Sequence, residues 1–159
     1  MKGHIAEATM IVAAPPERVW AALTEADQVR QYLMETELKT DWKPGSPITW
    51  SGEWKGKPYV DKGEVLEVEE GRRLAYTHFS PLTGVEDIPE NYHTLRWSLE
   101  EVSEGGTQLV LNQDNNASEE EADRNRDTWE QVLASLKKVA ESADSSGLTM
   151  DRPGPNMGV

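Results

Sequence analysis

The sequence predicts an α+β domain in which a curved antiparallel sheet of six or seven strands wraps around one long C-terminal helix. Three observations carry this. Between Glu35 and Asn112 the apolar residues recur every second position in short runs broken by Gly- and Pro-containing turns, the pattern of strands with one buried face. At Ser118 the period changes to 3.6 and holds to the 140s. Near the N-terminus a single strand is followed by Pro15-Pro16 and two short helical stretches. One long helix covering the apolar face of such a sheet is a two-layer α+β arrangement.

Taken in order, His4 to Ala14 is strand-like, with Thr9, Ile11 and Val12 favouring extended backbone. Pro15 and Pro16 end it and suit a first helical turn, where a missing N–H is harmless. Val19, Trp20 and Leu23 form the apolar side of a first short helix. Thr24-x-x-Asp27 has capping-box spacing and opens a second, carrying Val29, Tyr32 and Leu33. Strands are then expected over 35–42, 48–54, 59–69, 73–79, 92–102 and 107–112, with a bulge at Val65-Leu66 and a type II turn at Lys43-Pro44-Gly45-Ser46. Residues 80–91 form a long loop, and the polar run Asn112 to Asn116 reads as a connection. Ser118-x-x-Glu121 is a capping box, and Trp129, Val132, Leu133, Leu136, Val139 and Ala140 make the stripe of a helix of about 24 residues. The domain is assigned to residues 1–141. Residues 142–159, with two Pro, three Gly and no periodicity, are expected to form a flexible tail.

Composition narrows the function classes. The chain has 159 residues, a net charge of −13, 36% hydrophobic residues and no cysteine. That is enough for one core. The acidic balance disfavours nucleic acid and anionic membrane surfaces. Without cysteine there are no disulfides, thiolate nucleophiles or zinc–thiolate sites, which fits a cytoplasmic location. No run approaches a membrane span, and Glu7 interrupts the apolar N-terminal stretch that a signal peptide would need. Nucleophile-elbow, phosphate-loop and dinucleotide signatures are missing, so no cofactor is expected.

The candidate site comes from the aromatic residues, since six Trp accompany only one Phe. In "ITWSGEWKG" (48–56), Ile48, Trp50, Gly52 and Trp54 share one strand face. Trp97 lies on a later strand, Trp129 on the long helix, and Leu74, Tyr76 and His78 share a face of another strand. Converging, they surround one volume, which they either fill as core or line as a wall. Gly52 weakens its strand and marks a bend or a close approach. His78 and His93 flank the 80–91 loop and read as a polar rim or, with Glu86, Asp87 or Glu90, as a metal pair. Arg96 and Arg126 read as surface pairs or anion clamps, Arg126 beside Asp123 and Glu130.

Four stretches together resemble the START-like (SRPBCC) helix-grip superfamily, and within it the group similar to the C-terminal domain of the activator of the heat-shock chaperone's ATPase. They are "IVAAPPERVWAALTEADQVRQYL" (11–33), "WKPGSPITWSGEWKG" (42–56), "KGEVLEVEEGRRLAYTH" (62–78), and "GTQLVLNQDN" (106–115) leading to "WEQVLASLKKVAE" (129–141). The resemblance implies a cavity between sheet and long helix, on a scaffold used for small hydrophobic ligands including lipids, for some enzymes and for chaperone regulation. Three functions follow as expectations. The first is a non-enzymatic binding module for a small hydrophobic or amphipathic ligand. Trp50, Trp54, Tyr76, Trp97, Trp129 and Leu133 would form its walls; His78, Tyr92 and Arg126 would face the ligand's polar end. The loop 80–91 and the short helices would gate access. The second is a protein-interaction domain with a chaperone, or a second copy of the chain, as partner. The third is a hydrolase or cyclase on the same scaffold.

Overall fold

The computed structural model describes residues 1–33 and 35–145, without the side chains of Trp54 and residues 143–145. Strand β1 (His4–Val12) is followed by helices α1 (Pro16–Thr24) and α2 (Ala26–Tyr32). Six strands come next: β2 (Glu37–Lys39), β3 (Pro47–Trp54), β4 (Lys57–Glu69), β5 (Arg73–His78), β6 (His93–Glu101) and β7 (Thr107–Asn116). Helix α3 (Glu119–Ser145) completes the described chain. All strand pairs are antiparallel, in the order β1-β7-β6-β5-β4-β3-β2. The α+β, helix-grip expectation therefore holds. β1 and β2 are neighbours in sequence but opposite edges of the sheet, and α1 and α2 carry the chain between them.

Helix α3 packs on the inner face of the sheet along β1 and against α1 and α2. Leu133, Leu136 and Ala140 are fully buried there. They meet Ala8, Val12, Leu109 and Leu111 of β1 and β7 in one continuous core with Val19, Ala22 and Leu23 of α1. The N-terminus of α3 is capped as its sequence predicts. The Glu121 N–H donates to Ser118 Oγ at 3.1 Å, and Glu121 Oε2 accepts from the Ala117 N–H at 2.9 Å.

Four local expectations are corrected. Thr24 does not cap α2; as the last residue of α1 it donates its Oγ1–H back to Trp20 O at 2.9 Å. The turn between the helices is too tight to leave it outside. The strand expected over 35–42 shortens to Glu37–Lys39, because Trp42 adopts a φ of 58° and its indole N–H is drawn to Thr24 O at 2.9 Å. The polar run 112–116 is the end of β7 and not a connection, being paired with β1, and through Asn112 and Gln113 with β6. Its side chains satisfy backbone where neighbouring strands stop: Asp114 accepts from the Lys2 and Thr94 N–H groups, and Asn115 Nδ2 donates to Glu90 O and Tyr92 O. Finally, α3 runs to Ser145, past the assigned limit at residue 141. Residues 146–159, most of the expected tail, lie outside the described residues.

The expected bulge is present. The β4–β5 register shifts between Val65 and Glu67, which leaves Leu66 exposed. At the Lys43–Ser46 turn the Ser46 N–H donates to Lys43 O at 2.9 Å, and Gly45 supplies the positive φ, 90°, that a type II turn needs.

Candidate functional site

Between α3, α2 and the inner face of the sheet lies a cavity of about 500 Å³. Each strand supplies its inward residues by simple alternation. Trp50 and Tyr76 are buried at ring centroids 5.2 Å apart, and His78 packs edge-on against Trp50 at 5.0 Å. Trp97 Nε1–H donates to the Tyr76 hydroxyl at 3.0 Å, and the Trp129 ring stands perpendicular to Trp97 at 6.0 Å. Thr128, Gln131 and Ser135, exposed on α3, rim the space, so it communicates with solvent along that helix.

Five of the sequence-selected residues therefore meet: Trp50, Tyr76, His78, Trp97 and Trp129 all line the cavity. Leu133 does not; it is fully buried in the core behind it. Tyr92 does not either. Its ring stacks on Phe79 at 5.1 Å and its hydroxyl donates to Asp87 Oδ1 at 2.7 Å, which ties down the 80–91 loop. Asp87 also pairs with Lys62 Nζ at 2.5 Å, and these two bonds hold its carboxyl below the usual range. Arg126 is exposed on α3 and pairs with Asp123 and Asp127 at 3.5 Å; Arg96 pairs with Glu67 on the outer face. The Trp54 side chain lies outside what is described. No residue of the 80–91 loop lines the cavity, whereas α2 contributes Val29 and Tyr32.

Other lining residues escaped the sequence reading. Tyr32 donates its hydroxyl to Ala22 O at 2.8 Å, and burial pushes its phenol well above the ordinary value. Trp42 packs near Tyr76 at 6.3 Å. Tyr59 and Asp61 are in phase with buried Val65 on β4, a signal present in the alternation itself. Tyr59 OH shares a 2.8 Å hydrogen bond with Thr36 Oγ1, and the ring lies over Gly52. A Cβ at residue 52 would sit 2.9 Å from that hydroxyl, so the glycine makes room for a cross-strand tyrosine. Asp61 Oδ2 bonds His78 Nε2 at 2.9 Å. Gln113, inside the supposed connection, is only 7% exposed and also lines the space. His93 is committed to Asp114 O at 2.7 Å. Among the described residues no group of three or more His, Asp or Glu is placed to hold a metal ion. Nor is any helix there long and apolar enough to cross a membrane.

A second recess, about 1030 Å³, lies at the surface beside α1 and the β4–β5 turn. Charged residues such as Glu17, Glu25, Arg72 and Glu101 line it, and it encloses no aromatic cluster beyond Trp20. The inner cavity is the stronger candidate, because it gathers aromatic rings and a few polar groups, the lining that small-molecule sites use.

Burial raises the Tyr76 phenol to about 12, against the smaller opposing effect of the Trp97 hydrogen bond. The unfolded phenol ionises near 10. The stability from keeping Tyr76 neutral is therefore complete below pH ~10 and is lost as pH rises through about 12. Phenolate absorbance should show Tyr76 ionising together with loss of fold, and Tyr76→Phe should shift the alkaline unfolding midpoint upward. An unmoved midpoint contradicts this.

The comparisons with known proteins agree with this architecture. The solution structure of protein ChR145 from Cytophaga hutchinsonii is 43% identical, with a TM-score of 0.78 over 91% of this chain and 99% of that one. The Aha1 dimer from Colwellia psychrerythraea is 20% identical with a TM-score of 0.66, over 87% of this chain and 96% of that one. PFC0360w, an HSP90 activator from Plasmodium falciparum, is 22% identical with a TM-score of 0.66, over 88% and 97%. The last two show likeness of fold alone. No curated protein matches the sequence. The family model described as "Activator of Hsp90 ATPase homolog 1-like protein" matches residues 13–141, so the chain belongs to that family.

Proposed function

We propose that this protein is a binding module for a small amphipathic ligand held between sheet and long helix. The observation that carries the reading is the cavity of about 500 Å³, walled by Trp50, Tyr76, Trp97 and Trp129 and opening beside exposed residues of α3. That size falls within the range of about 300–1,000 Å³ typical of ligand pockets. Several of its indoles report occupancy directly. Titrating ten-carbon amphiphiles of different head groups should give a saturable change in tryptophan emission, and Trp129→Phe should weaken both signal and affinity. No saturable response from any head group would sink the reading.

A second reading is regulation of an Hsp90-type chaperone, and the family description favours it. It expects a change in the chaperone's ATPase rate when this protein is added in excess. An unchanged rate, together with no co-purification, would remove it.

A further inference from the structure

We infer that the cavity selects an organic cation, a protonated amine on an apolar body, over the matching alcohol or carboxylate. The inference rests on the cavity being a ligand site and adds which chemistry that ligand carries. Its first support is a hydrogen-bond imbalance. Among the described residues, the buried side-chain polar atoms without a partner are Gln28 Oε1, Asp61 Oδ1 and Gln113 Oε1. All three are acceptors, and the last two belong to cavity-lining residues. Gln113 is more than nine-tenths buried. Asp61 takes the His78 bond on Oδ2 only, which leaves Oδ1 unengaged. A buried acceptor without a donor costs ~1–3 kcal/mol, and more when charged. A ligand that brings N–H groups removes that cost.

The second support is charge. Among the described residues that line the cavity, Asp61 is the one carboxylate, and none is Lys or Arg. A carboxylate ligand would be desolvated beside Asp61 with no Lys or Arg to receive it, whereas an ammonium meets the Asp61 oxygen that the His78 bond leaves unengaged. The chain's net charge of −13 raises the local concentration of cations in the same sense.

The third support is the rings. Asp61 on β4 is paired directly with Trp50 on β3, and Trp50 adjoins Tyr76. The indole N–H groups of Trp42 and Trp97 are spent on Thr24 O and the Tyr76 hydroxyl. An ammonium at Asp61 therefore lies among aromatic faces whose quadrupoles attract it. Gln113 lies three strands away on β7, so its acceptor meets a different part of the ligand.

The test titrates decylamine, decan-1-ol and decanoate, each below its micelle concentration, against wild type, Asp61→Asn and Asp127→Asn. Asp127 is exposed on α3 and controls for diffuse attraction to an acidic surface. Wild type should bind the amine at least ~10-fold more tightly than the alcohol, and the carboxylate least, from the charged hydrogen bond and ring contacts together. Asp61→Asn should erase the amine's advantage; Asp127→Asn should keep it. Decanoate binding as well as the amine, an advantage that persists in Asp61→Asn, or one equally lost in Asp127→Asn overturns the inference. If Asp61→Asn does not fold, the order of the three ligands on wild type still decides. Binding of none of the three sinks the cavity reading itself, whereas binding without amine preference sinks only this selectivity.

Discussion

Gly63→Ala is expected to destabilise the domain by about 3 kcal/mol or more, among the largest effects of any single substitution here. A Cβ at residue 63 would lie 1.7 Å from Thr77 O and 2.5 Å from Thr77 C. Both are backbone atoms, so no side-chain rotation relieves the overlap. Strands β4 and β5 must part, just where the Lys62–Phe79 bridge and the Glu64 N–H to Thr77 Oγ1 bond join them. For a domain of this size the melting temperature should fall by roughly 6–12 °C. The Asp61–His78 bond straddles the same two strands, so parting them should also weaken ligand binding in proportion. Thermal unfolding followed by circular dichroism measures the first effect. A melting temperature within about 2 °C of wild type would mean the strands separate freely, contrary to the geometry.

Leu133→Ala is expected to cost about 3 kcal/mol, within the usual range for a leucine removed from a closed core. Leu133 is wholly buried in the α3 stripe, behind the cavity and not on its wall. Its loss should lower stability in chemical denaturation while the order of ligand affinities stays as in wild type. Arg126→Ala, about two turns earlier but exposed, should shift stability by less than about 0.5 kcal/mol. Equal losses from the two would contradict the placement of Leu133 in the core.

These two positions also show what was legible in the sequence. Period alone identifies Leu133 as inward-facing, because a 3.6-residue stripe has one buried side whatever covers it. Whether that side faces packed side chains or a cavity depends on residues from other elements, and no local pattern encodes it. Tyr92 shows the same limit. Its alternation is readable, but the stacking on Phe79 and the bond to Asp87 arise from a loop folding back over the strand end. Gln113 was hidden by composition, since a run of Asn, Gln and Asp looks like a turn until two neighbouring strands pair with its backbone.

The sequence by itself determined the α+β class, the order of elements, the bulge at Leu66, the capping box at Ser118 and the inward direction of Trp50, Trp97 and Trp129. These follow from interactions between residues within about one turn, or from alternation along one strand, so one segment suffices to specify them. Only the tertiary structure decided that Gly52 makes room for Tyr59, that Asp61 and His78 form a pair, and that Trp50, Tyr76, Trp97 and Trp129 enclose a cavity of about 500 Å³. Each joins residues from separate strands or from sheet and helix. Their chemistry exists only once pairing register and the helix's position on the sheet are set.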